Sequence, residues 1–155
     1  MALSDAPWSV QLGPLWFMLL FAGVWLVITG VLSRVGGWAS LATQFRATQP
    51  TSGEKFRFVS GSVGKKGFPV SYRNCLFVSV GERGLGLAIL FLFRFQSPSL
   101  FIPWSQVESV AEKKIFFVRY VVICLRNQWP AISLRGPAGE RVKEVYARLP
   151  SSRVL

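Results

Sequence analysis

Pro14–Ser33 reads PLWFMLLFAGVWLVITGVLS. It holds no charged side chain, and its only polar ones are Thr29 and Ser33. A helix needs about 20 consecutive apolar residues to cross the hydrocarbon core of a bilayer, and this stretch supplies them. Pro14 suits a first helical turn, where the missing N–H costs little, and Gly36 and Gly37 suit the exit. The preceding MALSDAPWSVQLG has no Lys or Arg, and the apolar run is longer than the core of a cleaved signal peptide. The sequence therefore predicts a short tail over residues 1–13 and an uncleaved transmembrane helix over 14–34.

Outward from this helix the charge is one-sided. The chain carries 18 basic and 7 acidic residues and no His, for a formal net charge of +11. Every basic residue lies at or after Arg34, whereas Asp5 is the only charge before it. Arg34 and Arg46 flank the C-terminal end of the helix, so the positive-inside bias predicts an outside N-terminus and a cytosolic remainder at the inner membrane. Trp8 and Trp16 suit the outer interface and Trp38 the inner one. Ala22, Gly23, Thr29 and Gly30 are small residues that could let a second helix approach, while mid-membrane Trp25 suits a neighbouring helix, a pigment-like ligand or plain lipid.

Between Gly37 and Ala47, apolar Trp38, Leu41, Ala42 and Phe45 recur at i, i+3, i+4 and i+7. That spacing predicts a short amphipathic helix lying at the membrane interface, within a connecting segment over 35–53 that ends in a breaker-rich linker. Short apolar runs separated by turn residues then predict strands over 55–63, 72–80, 85–95, 100–102, 107–112, 116–125 and 129–134. The alternation places Phe56, Phe58 and, less strictly, Val63 on an inner face, and in the next strand Cys75, Phe77 and Val80. Leu85–Phe93 is nearly all apolar, but it is too short for a second helical span and reads as a buried strand. Asn127-Gln128 reads as a hairpin turn. Val142, Val145, Tyr146 and Leu149 repeat at helical spacing, which predicts an amphipathic helix capping the sheet until Pro150 stops it.

Leu100-Phe101-Ile102-Pro103-Trp104-Ser105-Gln106-Val107 resembles the strand and turn "IPW-x-x-I" of bacterial pleckstrin-homology (PH) and GRAM-like domains. The preceding Phe93-Arg94-Phe95 and the closing helix over Gly139–Leu149 fit the same order. The resemblance covers Glu54–Leu149. It implies an α+β fold class: one N-terminal transmembrane helix plus a PH-like seven-stranded antiparallel β-barrel or sandwich over 54–150, capped by a C-terminal helix, with a tail at 151–155. In such domains a basic first hairpin can meet phosphoinositides. Lys65, Lys66 and Arg73 fall in that region, although Ser71 stands where the pattern has a second basic residue.

Chemistry has little to work with. The domain lacks His and Asp, and Glu108–Glu112 and Glu140–Glu144 read as solvated surface beside Lys and Arg. Cys75 has no His partner, and no glycine-rich phosphate loop opens a helix. Neither a cofactor nor a metal set is expected. Phe-Arg-Phe at 56–58 and 93–95 superficially suits nucleic acid, but strand alternation separates the rings from the Arg, so none is expected. The resulting expectation is a non-catalytic accessory or assembly subunit of a larger membrane complex, its partners being other membrane protein subunits. The alternative is a membrane-surface module that binds anionic lipid headgroups through Lys65, Lys66, Arg73, Lys113 and Lys114.

Overall fold

The computed structural model describes residues 7–48, 52–65, 68–91, 94, 97–127 and 130–150. Helix α1 (Pro7–Val35) is followed by α2 (Trp38–Phe45), then strands β1 (Glu54–Lys65), β2 (Phe68–Val80), β3 (Gly84–Ile89) and β4 (Leu100–Pro103). A short 3-10 turn (Trp104–Gln106) leads to β5 (Val107–Ile115), β6 (Val118–Leu125), β7 (Ala131–Arg135) and α3 (Pro137–Arg148). The strands form one antiparallel sheet in the order β4-β3-β2-β1-β7-β6-β5, curled into a half-barrel. The fold is α+β, with an apolar helix at the N-terminus and an amphipathic one at the C-terminus.

Helix α1 begins a full two turns before the predicted Pro14, which sits inside it. Its 29 residues extend about 43 Å at 1.5 Å per residue. The window Gly13–Val31 is long and apolar enough to span a membrane. Its side chains point outward on every side rather than onto the sheet, as Trp16, Phe17 and Leu20 all do.

The amphipathic segment goes elsewhere than predicted. Trp38, Leu41 and Phe45 of α2 are buried in the same core as the sheet. Trp38 has no solvent exposure, so it is not an interfacial anchor. Its indole N–H donates to the Pro98 carbonyl at 3.0 Å, and its ring meets Tyr72 edge-on at 5.8 Å. The apolar face that fits an interface fits a protein core equally well, and here the core takes it. Gly37 makes the joint between the helices: its φ of 78° is left-handed, and a Cβ would lie 2.6 Å from the Pro130 ring.

The inner face of β2 is offset by one from the predicted alternation. Leu76, Val78 and Val80 are buried, whereas Cys75 and Phe77 are half-exposed on the other face. Even-numbered Tyr72, Leu76, Val78 and Val80 face the core all along β2, whereas the inward side of β1 changes at Phe58. Phe58 and Asn74 both have left-handed φ, at 55° and 52°. The β1–β2 register slips between Phe56 and Val59 and again between Val59 and Gly61. Such bulges reset which side chains face inward. Phe56 stays against the core, while Phe58 turns outward and meets Phe77 at 5.6 Å. The Asn74 backbone N–H is met by the Ser60 hydroxyl oxygen at 3.1 Å.

Two further boundaries differ. β3 ends at Ile89 rather than running on to Phe95. The predicted sixth strand starts at Val118, because Phe116 and Phe117 form the tight turn joining β5 to β6. β5 correspondingly runs to Ile115.

Two elements follow the sequence closely. The Trp104 indole donates to the Gly81 carbonyl at 2.9 Å, locking the turn after β4 onto the end of β2. In α3, Val142 is buried and Val145, Tyr146 and Leu149 pack on the core, the face expected from the helical spacing. Pro137 occupies the first turn, where its fixed φ is favourable. Ion pairs Arg141–Glu54 (2.8 Å) and Lys143–Glu112 (2.7 Å) fasten α3 to β1 and β5.

Candidate interaction surfaces

The surfaces follow from two ends of the β6–β7 ladder. At one end β7 begins beside Pro130, which abuts Gly37 where α1 leaves. Gly64 of β1 pairs with Ala131 there, so the β1–β2 turn starting at Lys65 lies at this same end. Arg73 is exposed one residue from Tyr72, which packs on Trp38. Burial, with the neighbouring Cys75 adding to it, pushes the Tyr72 phenol up to about 12. Burial likewise raises the Cys75 thiol. Tyr72 is therefore a neutral packing group at physiological pH.

The structure thus places the Lys65 backbone near the exit of α1, but not Arg73: Tyr72 aligns through Gly61 with Leu134 and Val121, so Arg73 lies toward the Tyr120 end of the ladder. Lys66 lies outside the described residues, as do the side chains of Trp8 and Lys65. Lys113 and Lys114 are not brought to the α1 exit either. They belong to the other end of the ladder, where Lys113 pairs with Tyr120 and Lys114 with Arg119. The last β6–β7 pair is Tyr120 with Arg135, so the β5–β6 hairpin overhangs β7 beyond that point. Its tip is Ile115, Phe116 and Phe117, exposed by 47%, 89% and 93%.

Glu112, just behind the tip, is engaged rather than free. The Lys143 ammonium donates to its carboxylate at 2.7 Å, and Arg119 lies 3.8 Å away. The hydrogen bond from Lys143, then its charge, holds the Glu112 carboxyl below its ordinary value. The same pair holds the Lys143 ammonium above its own.

A third surface lies on the outer face of β1, β2 and β3. An open groove of about 420 Å³ has Gly86, Ala88, Ser79 and Phe77 on its floor. Lys55, Arg57 and Arg94 border it, with no carboxylate among the lining residues. Arg94 is held by a hydrogen bond from Nη2 to Ser99 Oγ at 3.2 Å. Apolar floor and cationic rim together suit an amphiphilic anion. The period-two spacing of Lys55 and Arg57 signals one side of this rim in the sequence. Arg94 reaches it from the segment between β3 and β4.

On α1, nothing lies within 4 Å of a Cβ built on Gly23. Leu19, Leu20, Val24, Val27 and Ile28 surround that notch. The Thr29 hydroxyl donates back to the Trp25 carbonyl at 2.9 Å, satisfying its own polar group within the helix. Trp25 stacks on Phe21 at 6.3 Å. Ala22 is exposed beside the notch, and Gly30 is buried a turn beyond Leu26. Among the described residues no three of His, Cys, Asp or Glu come together as a metal site.

No protein-family model matches this chain, and no curated protein does. The functional reading therefore rests on the surfaces themselves.

Proposed function

We propose that this chain is a membrane-anchored, non-catalytic accessory subunit, with α1 crossing the bilayer and a PH/GRAM-like domain on the cytosolic side. The observation that carries this reading is the joint between the two parts. The tight turn at Gly37 and the burial of Trp38, Leu41 and Phe45 couple the domain to the end of α1 without a floppy linker. A domain so fixed is placed by its helix. That suits a clamp on a neighbouring subunit better than a roaming catalytic module. Arg34 and Arg46 after the apolar segment support the inward orientation, and the notch at Gly23 offers a neighbouring helix close approach.

The test is copurification of the full chain in mild detergent after cross-linking in native membranes. A stoichiometric membrane partner is expected, and Gly23→Leu should weaken its recovery while leaving the domain folded. A lone monomer at every step counts against the proposal.

A second reading is favoured by one specific observation: the end of β1 at Lys65 sits beside the exit of α1. Anionic headgroups there would gain roughly 1 kcal/mol for each basic residue near the surface. Because the helix already holds the chain at the bilayer, such contacts would orient the domain rather than recruit it.

A further inference from the structure

We infer that the β5–β6 hairpin tip is a second membrane contact: an aromatic wedge that enters the interface of an anionic leaflet and lays β6 along the bilayer surface. The inference rests on the reading of α1 as a membrane span, and it adds to that reading a residue-level site and a domain orientation.

The first observation is the composition of the turn. A two-residue β-hairpin turn with left-handed backbone is ordinarily filled by Asn or Gly. Here Phe116 and Phe117 fill it, and Phe116 carries a φ of 54°. Both rings are almost wholly exposed and Ile115 beside them is half-exposed, so none of the three supports the core. Residues that neither suit the turn nor pack on the protein mark an interaction site.

The second observation is what surrounds the tip. Lys113 and Lys114 precede it and Arg119 follows it, all exposed. The nearest carboxylate, Glu112, is held by Lys143 and Arg119. Apolar rings in front of a basic collar whose nearest carboxylate is already engaged match the layering of an anionic leaflet, with acyl chains below and phosphates above. A projecting tip also suits a fluid interface, whereas a protein partner would need a matching acidic-rimmed pocket.

The third observation is reach. Ile123 pairs with Ile132, two residues from Pro130 at the exit of α1. Phe117 lies about 20 Å further along β6 at ordinary strand rise. With α1 across the bilayer, a tip this close to the exit can reach the same surface, and the tether keeps it at high effective concentration there. Exit and wedge meet one flat surface only when β6 lies parallel to it. That pose brings the two basic groups, near Lys65 and near Lys114, down onto the same leaflet.

The experiment uses the full chain in nanodiscs of phosphatidylcholine alone or mixed with phosphatidylserine. A nitroxide at Phe117→Cys, with Cys75→Ala and Cys124→Ala, reports depth from its relative accessibility to oxygen and to a water-soluble nickel chelate. A second chain carries the label at Leu20→Cys. The expected result is a Phe117 label at or below the phosphates in anionic discs. Lys113→Glu/Lys114→Glu should return it to water. In the unsubstituted chain, amide exchange over 115–118 should slow in anionic discs, a readout that needs no label. A Phe117 label in water in anionic discs, with the Leu20 label deep, overturns the wedge and leaves the anchor standing. Both labels in water overturn both. Equal insertion in neutral and anionic discs overturns the role of the basic collar and hence the proposal. Shielding of Phe117 that requires an added protein, without lipid contact, overturns it in favour of a protein finger.

Discussion

Replacing Trp38 by Ala asks whether the segment after α1 belongs to the domain. Trp38 is fully buried, gives a 3.0 Å hydrogen bond to Pro98 and packs edge-on against Tyr72. Truncating a buried aromatic to Ala costs about 3–5 kcal/mol, because the lost contacts leave a cavity that collapses only partly. For a domain of this size about 1 kcal/mol corresponds to roughly 4 °C, so Trp38→Ala should lower the Tm by about 12–20 °C. Trp38→Phe retains most of the apolar volume but strands the Pro98 carbonyl. It should cost about 1–3 kcal/mol, the penalty of an unmet buried acceptor. The assay is thermal unfolding of the full chain in detergent, followed by circular dichroism in the β region. A boundary test goes with it: a chain begun at Gly36 should fold, and one begun at Glu54, lacking α2, should not. An interfacial Trp38 would make Trp38→Ala almost silent. A Tm within about 2 °C of the parent would therefore refute the argument that α2 completes the core.

Two other expectations concern the sheet. Gly61 pairs with Tyr72 on one side and Leu134 on the other, and a Cβ there would lie 2.4 Å from the Ser133 carbonyl oxygen. Gly61→Ala should destabilise the domain by about 1–3 kcal/mol, measured by urea unfolding, since a central strand cannot step aside. The Glu112–Lys143 link should be acid-labile. Its carboxyl sits below the ordinary value when folded, so its contribution is present above the unfolded value and disappears as pH falls through the lower folded one. Hydrogen exchange over β5 and β6 should accelerate on acidification below about pH 4, and Glu112→Gln should abolish that pH dependence.

Much of this architecture was legible in the residues. Leu100–Pro103 declared a short strand with an edge proline, and Val142, Val145, Tyr146 and Leu149 declared the inner face of α3. What escaped the reading has local causes. The alternation of β1 broke where Phe58 takes left-handed backbone, a conformation that no pattern of apolar residues announces for a Phe, whereas β2 alternates regularly with Tyr72, Leu76, Val78 and Val80 inward. The Phe116-Phe117 turn stayed hidden for the same reason, because its residues look like strand. The destination of α2 was ambiguous in principle, since one apolar stripe serves an interface or a core. As for the surfaces, their shared positive charge grouped Lys113 and Lys114 with Lys65 and Lys66. The ladder separates them by the length of β6.

The docking of α2 has a consequence for how the protein is made. Trp38 finds its hydrogen-bond partner 60 residues later in the chain, and Gly37 finds Pro130 later still. The ribosome must therefore release the chain past Pro130 before the segment beside α1 can complete its packing. Contacts of such long sequence separation form late. The apolar helix is thus committed to its surroundings during synthesis, and the half-barrel closes around its end afterwards. Any quality control acting on the nascent chain would meet an exposed tryptophan stripe in that interval.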